Sequence, residues 1–149
     1  MLNLIKSKLP AKLAEIDAEK ADGVVLDVPT DEQYYNSTDF DDRVFSQDWL
    51  VRYGLEMSET NSITSATAED NTYIFLVQWT NLNAPEGDTR KRLFRYSRAF
   101  KEILEENFDR FPYMSKFKIV TIAPALWAEN ARSPVYKVGG VRLKTAIAS

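Results

Sequence analysis

Leu2, Ile5, Leu9, Leu13 and Ile16 recur at spacings of three and four, which places them on one stripe of a helix running to about Lys20. Pro10 removes the bond from residue 10 back to residue 6 and pushes Leu9 out of the helical region, so a bend or split is expected there. Gly23 is the expected stop. Val24-Val25-Leu26-Asp27-Val28 reads as a short strand ended by Pro29, followed by an acidic connection whose Tyr34, Tyr35 and Phe40 supply aromatic rings, with the tyrosines lying over the edge of the core. From Trp49, the residues Trp49, Val51, Tyr53, Leu55 and Met57 alternate with Leu50, Arg52, Gly54, Glu56 and Ser58, the period of a half-buried strand. Thr72 to Thr80 is a second strand, apolar on both faces and therefore central. The residues between these strands, 58–71, are polar and are expected to form a long, mobile hairpin tip. Asp88 or Thr89 can cap a helix that runs to about Phe108 and carries Leu93, Tyr96, Phe100, Ile103 and Leu104 on one face. Phe117 to Ile122 reads as a strand, and Val135 to Thr145 as a strand or hairpin interrupted at Gly139-Gly140.

This order of helix, three strands, helix and two strands predicts an α+β domain spanning residues 1–149. Its mixed or antiparallel sheet would have four to five strands, with both helices packed on one face. The other face is then partly uncovered, and its candidates Leu50, Ile74 and Leu76 are too apolar for a face meant only for water. Either a neighbouring subunit or a wrapped loop of the same chain would cover them.

Composition narrows the chemistry. The chain has 149 residues, 44% of them hydrophobic and 12% aromatic, enough for a globular core; folding at this size buries about two thirds of the unfolded surface. No apolar run approaches the ~18 residues that cross a bilayer. Met1 to Lys6 lacks the basic-then-apolar order of a signal peptide, so the chain is expected in the cytosol. Cysteine and histidine are both absent, which removes disulfides, a thiol nucleophile, the Ser-His-Asp triad and the usual zinc sites. Carboxylate, lysine, tyrosine or oxygen-ligated Mg²⁺ chemistry is what remains. Asp39, Asp41 and Asp42, or Glu105 and Glu106, have no site around them in the sequence. Asp39-Phe40-Asp41-Asp42 lacks the spacing and glycine of a calcium loop, and no glycine-rich phosphate cradle precedes a helix. The chain is accordingly read as non-enzymatic and free of cofactors.

The net charge of −3 is unevenly spread. Residues 21–48 hold eight acids against Arg43, and residues 111–149 hold six bases against Glu129. Such segments are either solvated surface or complementary faces of successive copies. The second helix opens with Thr89-Arg90-Lys91-Arg92 and closes with Glu102, Glu105 and Glu106, opposing its own macrodipole, with Arg98 to Glu102 and Lys101 to Glu105 as partial compensation. Phe94 falls opposite the apolar stripe among Lys91, Arg98 and Lys101, so it is expected to be exposed. Together with Arg92, Arg95 and Arg98 it forms the residue mix enriched at interface hot spots. A small RNA- or single-stranded-DNA-binding module is the rival reading, with Trp49, Tyr53, Tyr73 and Trp79 as a stacking platform. The acidic balance, and aromatics in phase with the apolar stripe, argue against it.

The N-terminal amphipathic helix with Leu9-Pro10, the two long strands joined by a polar loop, and Arg92-Leu93-Phe94-Arg95-Tyr96-Ser97-Arg98-Ala99-Phe100 near the start of the second helix together resemble the tail terminator, or tail-completion, proteins of tailed bacteriophages. The resemblance covers nearly the whole chain in order. It implies a virion subunit, assembled in the bacterial cytoplasm, that forms a homomeric ring of six copies. One rim would bind the tail-tube protein and the other the neck, while DNA crosses the lumen unread and no membrane is involved. Asp31, Glu32, Asp39, Asp41 and Asp42 would be lumen-facing acids that keep phosphate from sticking. Head-completion, or neck adaptor, proteins of the same particle share much of this pattern, and the residues do not separate the two roles.

Overall fold

The structure is a computed structural model that describes residues 1–36, 47–63, 66–80, 86–110, 114–127 and 135–148. Two helices, α1 (Leu2–Lys20) and α2 (Glu86–Glu106), accompany five strands: β1 (Tyr34–Asn36), β2 (Trp49–Ile63), β3 (Ala66–Trp79), β4 (Met114–Trp127) and β5 (Tyr136–Ala148). The sheet order is β1-β2-β3-β5-β4; β1 runs parallel to β2 and every other pair is antiparallel. The expected α+β class, with a mixed five-stranded sheet and helices packed against it, is the observed one.

One sheet face carries the main core. Leu4, Ile5, Leu9, Leu13 and Ile16 of α1 join Leu93, Tyr96, Phe100, Ile103 and Leu104 of α2 over Trp49, Val51, Phe75, Val77, Val141 and Leu143 of the sheet. Each such aliphatic or aromatic side chain, once fully buried, contributes roughly 1.5–3 kcal/mol. Pro10 does not split α1. It sits on the exposed side of the helix, away from the buried stripe of Ile5, Leu9, Leu13 and Ile16. The stop comes two residues before Gly23, at Ala21 in the left-handed region (φ 47°), whose N–H donates to the Asp17 carbonyl. α2 begins at Glu86, so Asp88 and Thr89 lie in its first turn and not at its cap.

Val24 to Val28 is not a strand of the sheet. The alternation is present, with Val24 and Leu26 buried and Val25 exposed, but the segment runs along the helices and side chains satisfy its backbone. The Leu26 N–H donates to the Asp17 carboxylate, and the Asp27 carbonyl accepts from the Tyr96 hydroxyl at 2.5 Å. Tyr34 and Tyr35 form the short β1 in its place, and Tyr34 packs against the core edge as expected.

Of the polar stretch 58–71, residues 64 and 65 lie outside the described residues, and the rest is strand: past a register shift between Leu55 and Met57, β2 and β3 pair from Ser58 opposite Asn71 to Ile63 opposite Ala66, and β3 pairs with β5 across Asn71 and Thr145. Low apolar content decides whether a segment can build a core of its own. It does not prevent a threonine-rich ribbon from extending a ladder already anchored at its base. Gly139 and Gly140 do not interrupt β5 either. A Cβ on Gly139 would stand 2.9 Å from the Leu93 Cβ of α2, and one on Gly140 would stand 2.2 Å from the Phe75 carbonyl oxygen. The two glycines allow close approach of a helix on one side and a strand on the other.

Candidate subunit interface

α2 and the face of the sheet away from the helices hold the residues that the sequence marks for partner contact, and the structure separates them. Leu50, Ile74 and Leu76 are 0%, 6% and 0% exposed within a single chain. Ile74 and Leu76 cluster with Tyr136 and Val138, with Trp127 packed against them, and Arg52 Nη1 donates to the Tyr136 hydroxyl at 3.2 Å across that face. These three side chains therefore offer no surface to a neighbour; the chain itself covers them.

Arg95 and Arg98 are occupied internally. α1 and α2 lie antiparallel, so residues 12, 19 and 22 meet residues 102–106, 98 and 91–95 in that order. Arg95, 8% exposed, donates to Asp22 from both terminal guanidinium nitrogens, Nη1 to Oδ1 at 3.0 Å and Nη2 to Oδ2 at 2.5 Å, while Lys91 stands 3.5 Å from the same carboxylate. Arg98 pairs with Glu19 across the helices and with Glu102 at 3.0 Å along α2. Lys12, 8% exposed, reaches Glu106 at 2.9 Å and Glu102 and Glu15 at 3.5 Å. The reversed charge order of α2 is thus explained without a partner. Its basic start faces the acidic end of α1, and its acidic end clamps Lys12, which outweighs a macrodipole cost of a few tenths of a kcal/mol per charge. Lys101 lies 3.9 Å from Glu105, as the i,i+4 spacing expects.

The Arg95 guanidinium, chiefly through its hydrogen bonds, holds the Asp22 carboxyl well below the usual carboxylate range. A lowered folded-state pKa gives stability that is present above the ordinary value of 3.8 and lost as the pH falls through the folded value. Asp22→Asn is therefore expected to lower the urea midpoint at pH 7, and the difference from the parent should shrink as the pH drops below about 4. A gap that stays constant between pH 7 and pH 3 would show that Asp22 contributes through packing alone.

Phe94 is exposed as expected, at 44%, and the Arg90 guanidinium lies over its ring at 5.6 Å. Arg92 is half-buried, with its Nε donating to the Val25 carbonyl at 3.3 Å and its guanidinium 5.8 Å from the Trp79 ring. Beside Arg90, between the start of α2 and the β4–β5 hairpin, opens a groove of about 200 Å³ lined by Arg90, Leu93, Pro124, Ala125, Leu126 and Lys137. Leu126 is 62% exposed at its rim. Sequence reasoning missed this groove because it ended the fourth strand at Ile122, short of Ala125 and Leu126. In fact the strand absorbs Pro124 in a register shift between Ile122 and Ala125 and continues on the sheet edge.

Of the acids assigned to a lumen, Asp31 and Glu32 are exposed in a single 3₁₀ turn before β1, Asp31 pairing with Lys6 at 3.3 Å. Asp39, Asp41 and Asp42 lie outside the described residues. Trp49 and Trp79 stack on each other at 5.7 Å beneath α2, 9% and 8% exposed. Among the described residues no group of three acidic, histidine or cysteine side chains is placed to hold a metal, and no helix is long and apolar enough to cross a membrane. Comparison of the chain with protein-family models and with curated proteins finds no match.

Proposed function

We propose that this chain is a structural subunit of a tailed-bacteriophage particle, one that closes into a homomeric ring, caps the tail tube and joins it to the neck. The observation that carries the reading is the exposed Phe94, with Arg90 over its ring, beside an open apolar groove. Aromatic and arginine side chains at a water-facing groove are the residue types on which subunit contacts concentrate their energy. The phage assignment and the count of six come from the resemblance of the α1, β2–β3 and α2 sequences to tail terminators, and a head-completion role in the same particle is the alternative that shares much of this pattern. An RNA- or single-strand-binding module is the weaker reading, because Trp49 and Trp79 are buried under α2 and are not offered to bases.

An acidic surface meeting a basic one is a heterologous contact, which propagates until its rotation closes. Native mass measurement over a range of salt and protein concentration tests the reading. The expected result is a closed ring that loosens, without disappearing, as salt rises, because screening weakens the charged part of the contact and leaves the apolar part. Phe94→Glu should weaken association roughly tenfold or more per contact. A protein that stays monomeric at high concentration and in the presence of tail tubes is not a ring subunit.

A further inference from the structure

The groove between α2 and the β4 edge has a definite chemistry. Its apolar lining is Leu93, Pro124 and Ala125 with Leu126 at the rim, and cationic Arg90 and Lys137 also line it. At about 200 Å³ it is smaller than the roughly 300–1,000 Å³ of small-molecule sites, so it suits one large side chain and not a cofactor. The complementary ligand is an apolar ring flanked closely by carboxylates. Asp39-Phe40-Asp41-Asp42 places a phenylalanine between acids on both sides. Asn107-Phe108-Asp109 is followed by Arg110, which would oppose Arg90 and Lys137, and Tyr34 packs against its own core.

We propose that Phe40 of a second copy, with its flanking Asp39, Asp41 and Asp42, docks in this groove, Phe40 on the apolar lining and the carboxylates against Arg90 and Lys137. The proposal rests on the reading that copies associate head to tail. Topology is what points to a second copy and not to the same chain. β1, which leads into residue 37, and β4 are opposite edges of the sheet. The groove lies three to four strand spacings away, about 17 Å, and Asn36 sits opposite Tyr53, about four residues or 13 Å further along the strands than the row of Trp49, Trp79 and Lys137. The diagonal is about 21 Å, and the four residues from Asn36 to Phe40 span at most about 14 Å when fully extended. A contact using opposite edges of the sheet is heterologous and repeats from copy to copy.

A labelled peptide of residues 36–45, titrated into the full-length protein, tests the contact. Saturable binding is expected. It should weaken at least tenfold with Arg90→Glu or Leu126→Asp in the protein, and to a similar extent with Phe40→Ala in the peptide. Both protein substitutions are at exposed positions, and far-ultraviolet circular dichroism verifies that the variants are folded. In the full chain, Arg90→Asp should impair assembly and Asp41→Arg in the same chain should restore part of it. Peptide binding that is absent, is indifferent to both groove substitutions, or is matched by the Phe40→Ala peptide overturns the proposal, as does equal competition by an oligothymidylate. Rings that form unchanged with Arg90→Glu and Leu126→Asp would sink the groove contact and leave the ring reading standing. Specific peptide binding by a protein that forms only open chains would do the reverse.

Discussion

Gly140→Ala is expected to destabilise the fold by about 3 kcal/mol, the upper end of what overpacking costs, and to lower the melting temperature by roughly 6–12 °C. The added methyl would meet the Phe75 carbonyl oxygen at 2.2 Å and the Leu76 Cα at 2.5 Å. Both are backbone atoms of the central strand, with no rotamer to change, so β3 and β5 would have to part where their ladder is continuous on both sides. Gly139→Ala is the comparison. Its methyl meets the Leu93 Cβ at 2.9 Å and the Leu93 carbonyl oxygen at 3.2 Å, neither of them the free end of a side chain, so α2 itself has to shift away from the sheet. The contact is less severe than that at Gly140, and the cost should be about 1–2 kcal/mol. Urea titration and calorimetry of both variants decide the matter: a Gly140→Ala protein melting within 2 °C of the parent would show that the strands separate without penalty.

These glycines mark a general boundary in what was legible from the chain alone. Periodicity located both helices, the cores of β2, β3 and β4, and the apolar stripe of α2, because each of those depends on which residues share a face over a few turns or pleats. It failed wherever the answer depended on a partner distant in sequence. Val24 to Val28 has the alternation of a strand, and its inward residues are buried. Whether it joins a sheet or lies along helices turns on the Tyr96 hydroxyl, 69 residues away, meeting the Asp27 carbonyl. A glycine pair in a strand looks the same locally whether it makes a bulge or admits Leu93.

The candidate interface divides along the same line. Phe94 was legible because exposure follows from helical phase. Arg95 was not, because one helical position past Phe94 the phase turns toward α1, and only the antiparallel pairing of the helices supplies Asp22 as its partner. Leu50, Ile74 and Leu76 read correctly as too apolar for water, but the side chains that join Ile74 and Leu76, namely Tyr136, Val138 and Trp127, come from the last two strands. The groove escaped notice for a related reason: its two walls are more than 30 residues apart, and its Leu126 lies beyond the expected strand end at Ile122.

Lys12→Glu should be the most damaging single surface-chemistry change. Lys12 lies between the two helices with Glu15, Glu102 and Glu106 at 2.9–3.5 Å and almost no solvent access of its own. Reversing its charge replaces three attractions by three repulsions. Because Glu15 and Glu106 are more than half exposed, solvent screens much of each interaction, so the expected loss is on the order of 2 kcal/mol, below the 3–5 kcal/mol of a fully buried broken pair. The pH dependence supplies a sign that a packing defect would not share. A carboxyl introduced among three others has its folded-state pKa raised, so the repulsion is present above that value and vanishes as the pH falls through it. Lowering the pH from 7 to about 4.5 should therefore narrow the gap between variant and parent, and 1 M salt should narrow it at pH 7. Adding Glu106→Lys to Lys12→Glu restores the shortest of the three pairs with its signs exchanged, leaves Glu102 on Arg98, and places a cation at the C-terminal end of α2, where the macrodipole favours it. The double variant is expected to recover part of the lost stability in a urea titration at pH 7, Glu15 and Glu102 still opposing the new carboxylate. A Lys12→Glu deficit that is unmoved by pH, by salt and by the compensating substitution would mean that Lys12 stabilises the helix contact through its aliphatic stem and not through its charge.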